Sequence, residues 1–349
     1  MEELGRIIYP RWVLIFVAAI CLLMPHRTTA AVAIEKVAES NHQWTGIAVA
    51  ADGRMFVNFP TWNDYPADYR VAELRDGQEI PYPNAEWNHE FVCVQSVVAD
   101  DANHLWILDP AKLRGQDVSP SGARLYDVDL ATNQVKRIYI FPQTTALPQS
   151  YLNDVRIDTK RRTAYLTDSG VGGIIVLDLD TGDSWRAITD VPEVKANLSY
   201  IDFKSTGRNT HLSQSDGIEL SENGEVLYFT ALGGDILYQV PTKALCDKKL
   251  SISDRQETIE ILSRSNVPTD GMILHKEKLY MANLPEETIW EFDLKTRQGH
   301  NLALPIDIRW ADSFAKGTDG SIYFTTSQIN YPMENRKKYE LYRMTVDKS

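Results

Sequence analysis

Six times along the 349-residue chain, a small or acidic polar residue is followed ten to twelve positions later by an aromatic inside a β-rich run. The polar residues are Thr45, Ser96, Asn153, Asp216, Asp270 and Asp312, and the aromatics are Phe56, Trp106, Tyr165, Tyr228, Tyr280 and Tyr323. Self-similarity at a spacing of roughly 40 to 60 residues marks a unit that cannot bury its own faces and must stack on its neighbours. β-Branched and aromatic runs preceded by Asp52-Gly53, Asn223-Gly224 and Asp319-Gly320 make the unit a sheet, not a helical pair. The expectation is an all-β, six-bladed β-propeller with four-stranded blades.

The last repeat runs out of chain at its third strand, whereas Val32–Glu39 precedes the first repeat as an unattached strand. Pairing the two closes the ring and removes an open edge. Ala244–Cys246 reads as a helical turn in place of a fourth strand. Residues 60–92, 196–215 and 331–338 interrupt the rhythm, and long loops of this kind are candidate covers for the channel mouth.

Residues 1–30 read as a signal peptide, leaving 31–349 as a single propeller domain. Arg6 and Arg11 precede an apolar run from Trp12 to Met24, and Thr28-Thr29-Ala30 supplies a small-residue cleavage site. That run is too short to span a bilayer as a helix, which needs about 20 residues. The expected location is secreted or periplasmic, with no membrane attachment after cleavage. Net charge is −12, and it becomes one unit more negative without residues 1–30. So acidic a chain has no footprint for phosphate backbones, which argues against nucleic acid as a partner. A monomer is expected. Cys93 and Cys246 survive processing and could form one disulfide or remain two buried thiols.

Two motifs reduce to structure. Asp178-Leu179-Asp180-Thr181-Gly182-Asp183 alternates carboxylates like a calcium loop. Asp127-Val128-Asp129 and Asp293-Leu294-Lys295-Thr296 occupy the same place in their own repeats, which is the mark of a hairpin turn. Thr167-Asp168-Ser169-Gly170 resembles a nucleophile's surroundings, but no histidine–acid pair marks a triad.

The polar residues that head the inner strands are the serious candidates. Inner strands surround the axis of a propeller, so Thr45, Asn153, Asp216, Asp270 and Asp312 should converge on the central channel as a ligand-binding set. The three aspartates could instead be turn formers. Three axial carboxylates repel by roughly 3 kcal/mol per pair at about 6 Å and an effective dielectric near 20. A bound cation, an amine, or protons must then balance them.

The segment Pro81-Tyr82-Pro83-Asn84-Ala85-Glu86-Trp87-Asn88, together with LNDVRID, AYLTDSG and GIIVLDLDTGDSWR (residues 152–186), resembles the Yellow/major royal jelly protein family. SDGIELSENGEVLYFTAL (215–232) and RWADSFAKGTDGSIYFTTSQIN (309–330) follow in the family's order. One departure is Asp109-Pro110-Ala111, where insect members tend to have a Thr-Gly turn. The few cysteines and the signal resemble bacterial members, which are often labelled as related to L-dopachrome tautomerase. The resemblance implies a secreted six-bladed propeller and, in some members, small-ligand binding in the channel.

A more distant resemblance runs to gluconolactonase-like propellers, which hold a divalent cation on the axis. It implies Asn153, Asp216 and Asp270 as ligands of a Ca²⁺ ion, although Thr45 stands where that pattern has a glutamate. The leading expectation is an exported propeller that binds a small polar or cationic molecule in its channel. The alternative is an enzyme of the same fold, either a Ca²⁺-dependent lactonase-like hydrolase or a dopachrome-type tautomerase.

Overall fold

The computed structural model describes residues 32–61, 67–264 and 266–346. The proposed signal peptide lies outside the described residues. Six four-stranded antiparallel sheets follow one another in chain order. Their inner strands are Ile47–Val49, Ser96–Ala99, Leu152–Asp158, Ser215–Leu220, Met272–His275 and Ala311–Lys316. In the sixth blade the outer strand is Ala33–Ser40, paired from Ala33↔Thr345 to Ser40↔Tyr339. The ring therefore closes through the N-terminal strand, as the missing fourth strand of the last repeat required.

The repeated aromatics explain the spacing. Phe56 packs with Val97, Leu105 and Tyr126 of the second blade, and Trp106 with Leu152, Val155 and Leu166 of the third. Tyr165, Tyr228 and Tyr280 each lie likewise against the blade that follows, and Tyr323 packs with Trp44 and Val57 of the first. Six apolar clusters thus fill six inter-blade interfaces. Each anchor sits on a second strand because that strand, flanked on both edges, offers a side chain no route to water.

Two sequence expectations need correction. Thr242–Cys246 and Ile252–Gln256 are helical, but the fourth strand of that blade still forms at Glu260–Ser263. The helices are an insertion before the strand, started at Ser251 by a reciprocal cap with Asp254. Residues 60–92 are not chiefly a loop. They contain the outer strands Val71–Arg75 and Gln78–Pro81 of the first blade and the helix Ala85–Glu90. The acidic repeat at 178–183 is a hairpin turn: Asp178 Oδ1 accepts from the backbone N–H groups of Asp180 and Thr181, both at 2.9 Å. Asp129 and Asp293 do the same in their blades. Cys93 and Cys246 are both free thiols, beside Tyr151 and Tyr165 respectively.

Candidate functional site

Three inner strands begin with a register shift, between Leu152 and Val155, between Ser215 and Ile218, and between Ala311 and Phe314. Asn153, Asp216 and Asp312 lie in these irregularities. A bulge releases a residue from the ladder and re-aims its side chain, so the strand start delivers polar groups to the axis where apolar ones would continue the alternation. The glycines after Asp216 and Asp270 serve close approach. A Cβ on Gly217 would lie 2.6 Å from the Asp270 carbonyl oxygen, and one on Gly271 2.2 Å from that of Asp312. Thr167 fixes the first of these strands by donating its hydroxyl to the Asp216 carbonyl at 2.8 Å.

Asp216, Asp270 and Asp312 are all buried. Among the described residues, none of the three accepts a hydrogen bond from a backbone N–H of its own segment, so they are not turn formers. Asn153 Nδ2 donates to Asp216 Oδ2 at 2.9 Å and to Ser169 Oγ at 3.0 Å. Asp216 and Asp270 are close enough to act on each other, an interaction that favours the protonated form of Asp216 and the ionised form of Asp270. Trp310 Nε1 donates to Asp270 Oδ2 at 2.6 Å. Asp312 Oδ2 is buried without a partner.

Burial pushes all three carboxyls upward. Asp216 is raised well above the usual carboxylate range by burial and then by the charges of Asp270, Asp312 and Asp154. Asp312 is raised by burial and by Asp270. Asp270 is pushed up to about 7, chiefly by burial, with the Trp310 hydrogen bond opposing the rise.

No lysine or arginine among the described residues pairs with these three. The nearby Arg156 is committed elsewhere. It donates to Asp154 Oδ2 at 2.9 Å, to Glu219 Oε2 at 3.3 Å and to the Met272 carbonyl at 3.0 Å. Arg156 and Glu219 line a smaller cavity of about 420 Å³ at the far ends of the inner strands.

Above the pair opens a pocket of about 840 Å³, with Asn153, Asp216 and Asp270 in its lining. Trp310 forms part of the wall, stacked on Phe203 at 5.5 Å between ring centroids. Its φ of 62° is rare for a bulky side chain, a strain of roughly 1–3 kcal/mol that the indole's stacking and hydrogen bond offset. The strands Ile201–Phe203 and Gly207–Asn209 form a hairpin. That hairpin's end and the 331–338 segment supply His211, Tyr331 and Arg336 to the pocket. Two of the three insertions therefore wall the mouth, while the described part of 60–92 contributes nothing to it.

The structure brings together Asn153, Asp216, Asp270 and, behind them, Asp312. Thr45 is apart from the pocket: its hydroxyl donates to the Gln95 carbonyl at 3.0 Å and accepts from Asn58 at 2.8 Å. Ser96 donates to Asp154 at 2.8 Å. Sequence reasoning missed Asp154, Arg156 and Trp310. The first two alternate along the strand with Asn153, and Trp310 stands two residues before Asp312, so adjacency to a site residue was the available signal.

The donor set suits a hard divalent ion poorly. Such ions need several charged oxygens, yet Asn153 turns its amide nitrogen to Asp216, the Trp310 indole occupies Asp270 Oδ2, and Thr45 spends its hydroxyl on the Gln95 carbonyl. Among the described residues, no group of three or more His, Cys, Asp or Glu is arranged to hold a metal.

A family model described as "Major royal jelly protein" matches residues 92–303. No curated protein matches the chain. Among solved structures, regucalcin from Agrobacterium tumefaciens, a calcium-binding protein, is 14% identical with a TM-score of 0.56 and covers 88% of this chain and 95% of its own. A luciferin-regenerating enzyme is 12% identical, with a TM-score of 0.58 and coverage of 90% and 96%. A gluconolactonase from Xanthomonas campestris is 14% identical, with a TM-score of 0.56 and coverage of 90% and 89%. At these identities the likeness is one of fold.

Proposed function

This chain belongs to the major royal jelly protein family, and from that premise we propose that it binds a small organic cation in its axial pocket. The observation that carries the reading is the pair Asp216 and Asp270 at the floor of that pocket, neither of which has an ion pair with a lysine or arginine among the described residues. A ligand ammonium would supply the missing positive charge, gain two charge-assisted hydrogen bonds and relieve the repulsion from Asp154 and Asp312. Trp310 offers its indole to the same space, and a cation against an aromatic face adds about 0.5–2 kcal/mol. Residues 1–30, read as an export signal, put this encounter outside the cytoplasm.

Calorimetric titration with benzylamine and other primary amines, against Ca²⁺ and a chelator, tests the reading. Amine binding that is lost in Asp270→Asn supports it. Binding of Ca²⁺ alone would replace it with the metal-dependent alternative, and no binding of either would end it.

One observation favours a second, catalytic reading. A buried carboxyl raised to about 7, beside a second carboxyl that burial and its neighbours' charges also push upward, is equipped to take and return a proton. In a tautomerase, ionised Asp270 would accept a proton from a carbon acid and Asp216 would donate one to the oxygen that gains it. Turnover of a dopachrome-type substrate, abolished in Asp270→Asn, is the corresponding assay. Lactonase chemistry through Ca²⁺ has less support, because the donor set fits that ion poorly.

A further inference from the structure

The axial pocket is bipolar. Its floor is acidic, but Arg336 and Lys112 also line it, and neither has a carboxylate within ion-pair distance among the described residues.

Arg336 is held by neutral oxygens only. Nε donates to the Tyr331 carbonyl at 2.9 Å and Nη1 to Gln43 Oε1 at 3.1 Å. Two further bonds, to Tyr339 Oη and the Ile329 carbonyl, are long at 3.4 Å. A guanidinium has five N–H donors, so one Nη2 hydrogen is left over and two weak bonds can yield to a better acceptor. The Lys112 ammonium makes one bond, to the Gln149 carbonyl at 2.7 Å. Burial lowers its affinity for a proton, only partly opposed by the more distant charges of Asp168 and Asp117. Leu212, Leu232, Ile329 and Met333 give the pocket apolar wall besides Trp310.

We infer that the pocket selects an organic zwitterion, its ammonium held at Asp216 and Asp270, its carboxylate at Arg336 and Lys112, and an apolar body joining them. This rests on the cationic reading above and adds the second pole. An anion at the rim satisfies two positive charges that the fold leaves without partners. Arginine suits a carboxylate because its planar fork can bond both oxygens at once. A simple amine would leave that half of the pocket unsatisfied, and a simple acid would meet the aspartates.

The test is a matched series titrated calorimetrically into the protein: 4-(aminomethyl)benzoate, benzylamine and benzoate. The zwitterion is expected to bind at least about tenfold more tightly than benzylamine, the usual worth of one charge-assisted contact, and benzoate not at all. Arg336→Gln and Lys112→Gln should each narrow that preference by weakening the zwitterion, and neither should weaken benzylamine, whose positive charge each substitution relieves of a like charge in the pocket. Should Arg336→Gln misfold, because its bonds secure the 329–339 segment, Lys112→Gln decides, since it sacrifices a single surface hydrogen bond. Benzylamine binding as tightly as the zwitterion would overturn the inference and leave the cationic reading standing. So would a zwitterion preference that survives both substitutions. If neither amine binds, the cationic reading fails first.

Discussion

Asp270 is where charge and stability meet most directly. Its folded-state affinity for protons is raised, from an ordinary 3.8 up to about 7, and Asp216 and Asp312 move the same way. The native state therefore binds these protons more tightly than the unfolded chain. The contribution of Asp270 to stability is complete below about pH 4 and is lost as pH rises through about 7. Asp270→Asn removes one titrating group and one repulsive charge. Without ligand, the variant should gain on the wild type as pH rises across that window and level off above it. The differential is at most of order 4 kcal/mol, from roughly 1.4 kcal/mol per pH unit. Urea denaturation of both proteins at pH 4, 6 and 8 checks this, and a constant difference across the three would refute it. The Trp310 hydrogen bond already enters Asp270's folded-state proton affinity, and the asparagine oxygen can accept it too, so it leaves the sign of the trend unchanged.

Among the elements, the inner strands position the candidate site and the outer strand Ala33–Ser40 closes the ring. Gly271 lets the fifth inner strand lie against the sixth, where its N–H donates to the Asp312 carbonyl at 2.8 Å. Gly271→Ala places a methyl 2.2 Å from that oxygen, so backbone must move. We expect a loss of about 1–3 kcal/mol in denaturation, with weaker amine binding because Asp312 and Asp270 shift apart. Retained stability and affinity would mean that the close approach is not needed. At the other edge, a chain beginning at His42 lacks the strand Ala33–Ser40 and bares Tyr339–Thr345. It should melt lower by roughly 10 °C or more, given several kcal/mol of lost pairing and packing, and should aggregate through the exposed edge. Melting like the intact protein would show that closure is dispensable.

At the scale of the whole molecule, the two cysteines test both compartment and packing. They belong to different blades and contact different tyrosines, and burial raises the proton affinity of each thiol. Alkylation in denaturant without reductant should add two labels to protein recovered from outside the cytoplasm, and intact mass should place its N-terminus at Ala31. One mass consistent with a disulfide, or a retained Met1, would contradict the packing or the export reading respectively. The repeat of polar heads and aromatic anchors was legible in the chain because inter-blade packing needs one large side chain per unit at a fixed position. Ring closure was legible because a four-stranded blade with three strands demands a donor. Asn153, Asp216 and Asp270 could be nominated for the same reason: strand starts face the axis in any propeller. The sequence could not show that bulges turn those side chains inward, or that Thr45 spends its hydroxyl on a neighbouring carbonyl. Nor could it show that Arg156 is taken up by Asp154 and Glu219, or that Trp310 and Arg336 reach the pocket from distant segments. Periodicity records what each blade repeats. Charge balance at the axis depends on side chains that different blades contribute once each, and only the closed ring brings them within reach of one another.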